Sequence, residues 1–298
     1  MVTSSNINKR ISFSQYTMWA NCALSWKLKY IDGHRLDDSS IHTVFGTSMH
    51  LVIQEWLDVL YNQSASRAKT VYLHDTFKGR LLELFKENTT VAANGEKVFL
   101  ADKKTLMEFY EQGCLILTYI QNNYKKIFPT SNVKLFAIEY ELKAEVKQNV
   151  SYVGFIDIVT YNTLTNKYVL YDLKTSRSGW TQDQKSDPNK IGQLLLYKTF
   201  FAKQMGIPED NISVEFIILK RIVAENTQFH IPRVSKFEPP NKTPSLKKNW
   251  NLFQLFVDMA FDDEGNYITE QKATPSKGAC RWCVYRDKKE LCSFGVKK

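Results

Sequence analysis

Residues Tyr152 to Lys174 read YVGFIDIVTYNTLTNKYVLYDLK, two apolar runs separated by the polar stretch Asn162 to Lys167. Runs with this composition around an Asn-, Thr- and Lys-containing loop predict a β-hairpin. Side chains alternate along a strand. Asp157 is therefore expected on a face with Val153, Phe155 and Val159, and Asp172 on one with Tyr168, Leu170 and Lys174. A carboxylate on an apolar strand face is costly unless it is paired, hydrogen-bonded or bound to a metal. Each strand of this hairpin carries one, and a lysine follows the second carboxylate by two residues. The pattern predicts a metal site with a cationic assistant.

The chain has 298 residues, enough for one large domain or two modest ones. Hydrophobic residues make up 43% and aromatics 13%, which is enough for a substantial globular core. A formal charge of +9 favours a polyanionic partner, nucleic acid before membrane. The segment MVTSSNINKR lacks the apolar core of a signal peptide, and no uncharged apolar run approaches transmembrane length. The expectation is a cytoplasmic protein with no membrane partner. In that reducing setting the five cysteines serve as ligands or core residues rather than disulfides.

Around the hairpin, residues 11–31 read as a helix capped by Ser12 or Ser14, with Trp19, Cys22, Trp26 and Tyr30 on one face. Phe45–Tyr61 is helical by pattern, with His50, Ile53, Leu57 and Leu60 sharing a face, and Gly46 one turn before His50 to admit a neighbouring backbone. A histidine on such a face is either a hydrogen-bonded core residue or a ligand. Residues 75–90 and 100–127 predict two further helices flanking a loop at Thr89–Lys97, and Cys114 reads as a packing residue. Leu135–Val146 alternates as a strand. Its Glu139 and Glu141 are within reach of the same site, but a half-exposed strand carries such residues routinely, and they read as ordinary ones. A polar loop covers 175–190, then a helix carries Gln193 and Tyr197 one turn apart and ends near Gly206. Ser213–Val223 is strand-like, with Asn226–Pro232 as a candidate pairing segment. Residues 234–249 read as loop, and Leu252–Phe261 as a last helix before a cysteine-containing tail.

Four ordered motifs now stand in the chain: Gly46-Thr-Ser-Met-His50, Gly154-Phe-Ile-Asp157, Asp172-Leu-Lys174 and Gln193-Leu-Leu-Leu-Tyr197. In this order and on these elements the chain resembles the PD-(D/E)XK nuclease superfamily, within it the RecB-like branch, which includes the four-cysteine exonucleases associated with CRISPR adaptation. The resemblance implies an α/β fold with a restriction-endonuclease-like core, a mixed central sheet flanked by helices. An N-terminal helical region (1–130) would precede the nuclease core (131–233), and a C-terminal helix with a cysteine-rich tail (234–298) would follow. It also implies Asp157, Asp172, the Leu173 carbonyl and His50 as ligands of Mg²⁺ or Mn²⁺, the imidazole tilting the choice towards Mn²⁺. Lys174 would orient the attacking water, and Gln193 and Tyr197 would position the substrate backbone or the Lys174 strand. Without the companion motifs, Asp172 and Lys174 would read as a surface salt bridge on an edge strand.

The tail adds Cys280-Arg-Trp-Cys283 followed by Cys292, one ligand short of a tetrahedral thiolate site. In the four-cysteine relatives the missing ligand precedes the GxxxH motif, where Cys22 stands here. The resemblance therefore implies an iron–sulfur cluster, of the 4Fe–4S type, on Cys22, Cys280, Cys283 and Cys292, with zinc as the competing ion. Trp180, Trp282, Tyr285 and Arg286 are candidates for stacking on or steering single-stranded DNA. The implied activity is a metal-dependent DNA exonuclease acting on single-stranded ends in recombination, repair or replication, in a prokaryotic cell or a phage-infected host, with a helicase or recombination protein as a possible partner. A structure-specific endonuclease, a non-catalytic DNA-binding subunit and a zinc-stabilised nucleic-acid-binding protein are the alternatives.

Overall fold

Hairpin, crossover and flanking helices combine in a six-stranded mixed sheet with helices on both faces. The computed structural model describes residues 8–36, 39–91, 96–224 and 231–295. Strand β1 (Lys9–Ile11) leads into α1 (Phe13–Asn21) and α2 (Ala23–Tyr30). The single helix read over 11–31 is thus two, split at Cys22, whose extended backbone ends one helix and opens the next. Helix α3 (Ile41–Asn62) begins earlier than its periodicity indicates, because Ser40 and Thr43 form a capping box. Then come α4 (Ala65–Lys69), α5 (Leu73–Glu87), the short strands β2 (Thr90–Val91) and β3 (Lys97–Val98), and α6 (Lys103–Ile127).

The hairpin is β5 (Val150–Asn162) and β6 (Lys167–Ser176), preceded by β4 (Val133–Lys147). Asn162 closes its turn by accepting from the amides of Leu164 and Thr165. The loop after β6 contains a short helix, α7 (Gln182–Ser186), and α8 (Pro188–Met205) follows, with Gly206 left-handed at its end. Helix α8 is the crossover that lets β7 (Ile212–Lys220) run parallel to β6. The pairing segment read at Asn226–Pro232 falls largely on residues outside the described ones; the strand that pairs antiparallel with β7 is β8 (Val234–Phe237). The stretch 234–249 is thus not a loop. It supplies β8 and the start of α9 (Thr243–Ala260), because Pro244 sits in the first turn, where its missing N–H costs no hydrogen bond. A last short helix, α10 (Lys277–Arg281), carries Cys280.

The sheet separates two apolar cores. On one face Tyr171, Leu173, Ile217 and Leu219 pack against α3, α5 and α6; on the other Tyr152, Leu170, Phe216 and Ile218 pack against α1, α8 and α9. Burial on both sides explains why β5, β6 and β7 read as near-continuous apolar runs. No helix among the described residues is long and apolar enough to cross a membrane.

Candidate active site

The carboxylates sit where strands part. Pairing of β5 with β6 ends at Ile158 opposite Tyr171, so Asp157 and Asp172 lie just past the last bonded pair. On its other side β5 also loses a partner, since the β4 ladder runs from Ile138–Ile158 to Tyr140–Ile156 and skips Glu139 and Asp157. Side chains replace the missing ladder bonds. The Leu173 amide donates to Asp157 Oδ2 at 2.6 Å, and Gln54 Nε2 of α3 donates to the Asp157 carbonyl at 3.2 Å. The strict alternation expected along β5 therefore fails. Tyr152 and Ile156, then Val159, face the same core, while Phe155 is 47% exposed. Asp157 does not share a buried face with Phe155.

The cause lies in β4. Glu139 has φ +49°, a left-handed conformation that a side chain other than glycine adopts at a cost of about 1–3 kcal/mol. It turns the Glu139 carboxylate towards α3, where Gln54 Nε2 donates to it at 2.5 Å. Glu139 thus belongs to the site's surroundings, whereas the sequence reading treats it as routine. Its place on the strand before the hairpin puts it within reach of the site, with nothing local to prefer that over a routine surface position.

Asp172 and Lys174 point together, as the alternation predicts. The Asp172 side chain is 1% exposed, and Lys174 Nζ lies 2.7 Å from its Oδ2 and donates to its Oδ1 at 3.0 Å. The approach to Oδ2 has the distance of an ion pair but not the direction of a hydrogen bond, so this buried oxygen keeps a lone pair without a donor. Lys174 Nζ also donates to Gln193 Oε1 at 2.8 Å, and Gln193 Nε2 donates to Tyr197 Oη at 3.0 Å. One line of polar contacts thus runs from β6 onto α8. Gly154 makes room for its end: a Cβ there would stand 2.8 Å from Tyr197 Cε1.

His50 faces the pair from α3, its Nδ1 3.6 Å from Asp157 Oδ2. Burial lowers the imidazole below its ordinary range, against the pull of Asp172, so the ring is neutral near pH 7. Burial, and next the charge of Asp172, push Asp157 well above the usual carboxylate range. A carboxylate whose charge burial and Asp172 disfavour, a second carboxylate beside it and a neutral imidazole suit a hard divalent cation. The undonated Asp172 oxygen supplies a free lone pair for it. Among the described residues no three His, Cys, Asp or Glu side chains already stand as an ion-holding group, and Lys174 is the residue seated on Asp172. Gly46 does not bring a backbone close to His50, because a Cβ there would meet only Thr175 Oγ1 at an ordinary 3.4 Å.

Cys22, Cys280, Cys283 and Cys292 line one small cavity under Tyr285 and Arg286. The thiol of Cys283 is pushed up by burial, and the other three cysteines act on it in the same direction. They converge without forming an ion-holding group among the described residues. Cys114 packs against the α3-side core. Of the candidate stacking residues, Tyr285 is 1% exposed and its hydroxyl donates to the His34 carbonyl, which removes it from any binding face. Trp180 packs between Phe216 and Phe237, Arg286 pairs with Asp287, and Trp282 is 80% exposed.

The family model of the PD-(D/E)XK nuclease superfamily matches residues 10–288. A solved structure from Eubacterium rectale, provisionally described as an exonuclease, is similar at 13% identity and a TM-score of 0.47, covering 83% of this chain and 78% of its own. No curated protein matches the sequence.

Proposed function

Because the chain belongs to the PD-(D/E)XK nuclease superfamily, we propose that it is a divalent-metal-dependent deoxyribonuclease of the RecB-like branch that degrades single-stranded DNA from its ends. The observation that carries this reading is the line Asp172–Lys174–Gln193–Tyr197, set beside Asp157 at the point where the strands part. Asp157, Asp172, His50 and the Leu173 carbonyl would hold Mg²⁺ or Mn²⁺. Bound there, the ion would make a neighbouring water more acidic and would offset charge on the phosphoryl oxygens.

The protein's own groups do the rest. Lys174, fixed between Asp172 and Gln193, presents an ammonium that orients the attacking water and meets the developing negative charge. Gln193 keeps its oxygen on Lys174 because Tyr197 accepts from its amide nitrogen. The Leu173 amide fixes the rotamer of Asp157. The chain's net charge of +9 suits a polyanionic substrate.

The four cysteines are read as a clasp holding an iron–sulfur cluster, or zinc, that ties the α1–α2 junction to the tail. Their convergence on one cavity supports this. The three regions 1–130, 131–233 and 234–298 are read as parts of one unit, since β1, the hairpin and β8 share a sheet. The setting proposed is DNA recombination, repair or replication in the cytoplasm of a prokaryotic cell or a phage-infected host, beside a helicase or recombination partner.

The test compares the wild type with Lys174→Ala on end-labelled linear and on circular single strands, each with Mn²⁺ and with Mg²⁺. Cleavage of linear strands alone, lost in the variant, is the expected result. Cleavage of circles as well would reassign the protein as an endonuclease. No cleavage by anaerobically purified, metal-supplied protein would leave a DNA-binding subunit.

A further inference from the structure

Beyond the end of β6 the molecule carries a second feature that the line from Asp172 to Tyr197 does not use. A cleft of about 570 Å³ opens between the end of the β6–β7 pair, the start of α3 and the first turns of α6. Its lining carries two arginines against one carboxylate, Glu108, a surplus of one positive charge. Arg221 and Arg177 come from adjacent chain ends, held together by the Arg221 amide on the Ser176 carbonyl (3.0 Å) and the Ile222 amide on the Arg177 carbonyl (2.7 Å). Arg221 is 8% exposed and its guanidinium lies over the Phe109 ring at 4.1 Å, with Nη1 donating to Gln112. Arg177 is exposed. Burial lowers Arg221 from its ordinary value, Glu108 acts the other way, and Arg177 adds to the lowering. Two guanidiniums on adjacent chain ends, lining one cleft with one carboxylate, form a site suited to an anion.

The start of α3 adds donors. Ser40 caps the Thr43 amide, which leaves the Ile41 and His42 amides without intrahelical partners at the positive end of a 22-residue helix. The His42 ring packs edge-on to Phe109 at 5.1 Å and is itself exposed at the rim.

Two independent rulers place this cleft next to the carboxylates. Along β6, Arg177 lies three residues past Lys174, or about 10 Å at strand rise. Along α3, His42 lies eight residues before His50, or about 12 Å at helix rise. That is within the reach of a phosphate about two nucleotides along the same strand, rather than the distance of a separate site.

We propose that this cleft is a second phosphate subsite, in which Arg177, Arg221 and the start of α3 take a non-scissile phosphate of the strand being cut. The inference rests on the nuclease reading. It adds that the strand runs from the Asp157–Asp172 centre past Thr175 towards α6. The phosphate it takes is either a terminal one or an internal phosphodiester, and the chemistry of recognition is the same.

The test is fluorescence anisotropy of labelled single-stranded oligonucleotides, with and without a terminal phosphate, in EDTA and across a salt series. Arg177→Ala is expected to weaken binding about 5- to 10-fold and to reduce the slope of log K against log salt by about 0.7, the effect of one lost single-strand phosphate contact. Glu108→Gln removes the opposing carboxylate and is expected to tighten binding 2- to 3-fold, which a merely destabilised protein would not do. Loss confined to the phosphorylated oligonucleotide assigns a terminal phosphate, and loss on both assigns the backbone. If the wild type binds and cleaves while both variants match it in affinity and slope, the subsite is wrong and the nuclease reading stands. If the wild type binds no polynucleotide, both fall.

Discussion

The carboxylate centre and the cysteine cavity are built in opposite ways. Every side chain of the first stands on a regular element: Asp157 on β5, Asp172 and Lys174 on β6, Gln193 and Tyr197 on α8, His50 on α3. Hydrogen bonds link Asp157 to the Leu173 amide and Asp172 to Lys174, Gln193 and Tyr197 in turn. Cys22 sits instead at a helix junction, Cys280 in a five-residue helix, and Cys283 and Cys292 in turns. That region is fastened to the rest by a few long-range bonds, such as Trp19 Nε1 to Gln271 and Thr274 Oγ1 to the Asn21 carbonyl. A site on rigid elements is preorganised by the fold. Cysteines on turns are brought near one another, and a ligand shared among them would add the missing constraint.

The strongest way to break this contrast is to remove charge from the rigid side. Asp157→Asn is expected to lower cleavage by about 10²–10³-fold or more, read with saturating Mn²⁺. Its effect on stability should have the opposite sign. Asp157 is held above its unfolded value by burial and by Asp172, so its ionisation opposes folding once pH rises above the unfolded carboxylate range. In EDTA at pH 7–8 the variant should therefore melt a few degrees higher, the shift that about 1 kcal/mol makes in a domain of this size. The gain should vanish below about pH 4, where the unfolded carboxyl is also protonated. A variant that melts lower at neutral pH would show that the carboxylate is compensated after all.

On the cysteine side, Cys22→Ser should leave the carboxylate geometry alone and remove a tie between positions 22 and 280. Closing a loop of that length is worth up to about 5 kcal/mol on chain-entropy grounds. The expected result is loss of bound iron or zinc by elemental analysis and a midpoint lower by several degrees. Unchanged metal content and melting would reduce the cavity to ordinary packing. A smaller effect returns to the rigid side. In Gly154→Ala the new Cβ meets Tyr197 at 2.8 Å, and a ring buried in the α8-side core has little room to yield. Cleavage should fall about 10-fold through Gln193 and Lys174, with about 1–3 kcal/mol lost to overpacking.

The sequence disclosed the hairpin, its flanking order of elements and the paired orientation of Asp172 and Lys174, because periodicity and turn chemistry are local. It disclosed Gln193 and Tyr197 through their one-turn spacing on α8. It did not disclose where β5 leaves its neighbours. That depends on a left-handed residue in another strand, and no local pattern marks Glu139 for that conformation. The break at Cys22 escaped for a similar reason, since the aromatic spacing of Trp19, Trp26 and Tyr30 continues across it. The helical start of α9 was hidden by proline and lysine, which suit a first turn as well as a loop.

Glu139 offers the finest separation of backbone from charge. Glycine adopts φ +49° without a Cβ penalty, so Glu139→Gly should recover up to about 1 kcal/mol of strain while deleting a carboxylate that acts on both Asp157 and His50. Glu139→Gln keeps the strain and removes only the charge. If the residue contributes to the site through its charge, both variants should bind Mn²⁺ more weakly, about 2- to 5-fold by calorimetry, and only the glycine variant should melt higher. If it contributes by holding the strands apart, the two should diverge in Mn²⁺ affinity, with the glutamine variant close to wild type because Gln54 still has an oxygen to bond. Equal affinities in all three proteins would confine Glu139 to shaping β4. The opening at Asp157 would then be a property of the backbone, one that the left-handed turn creates and the carboxylate merely accompanies.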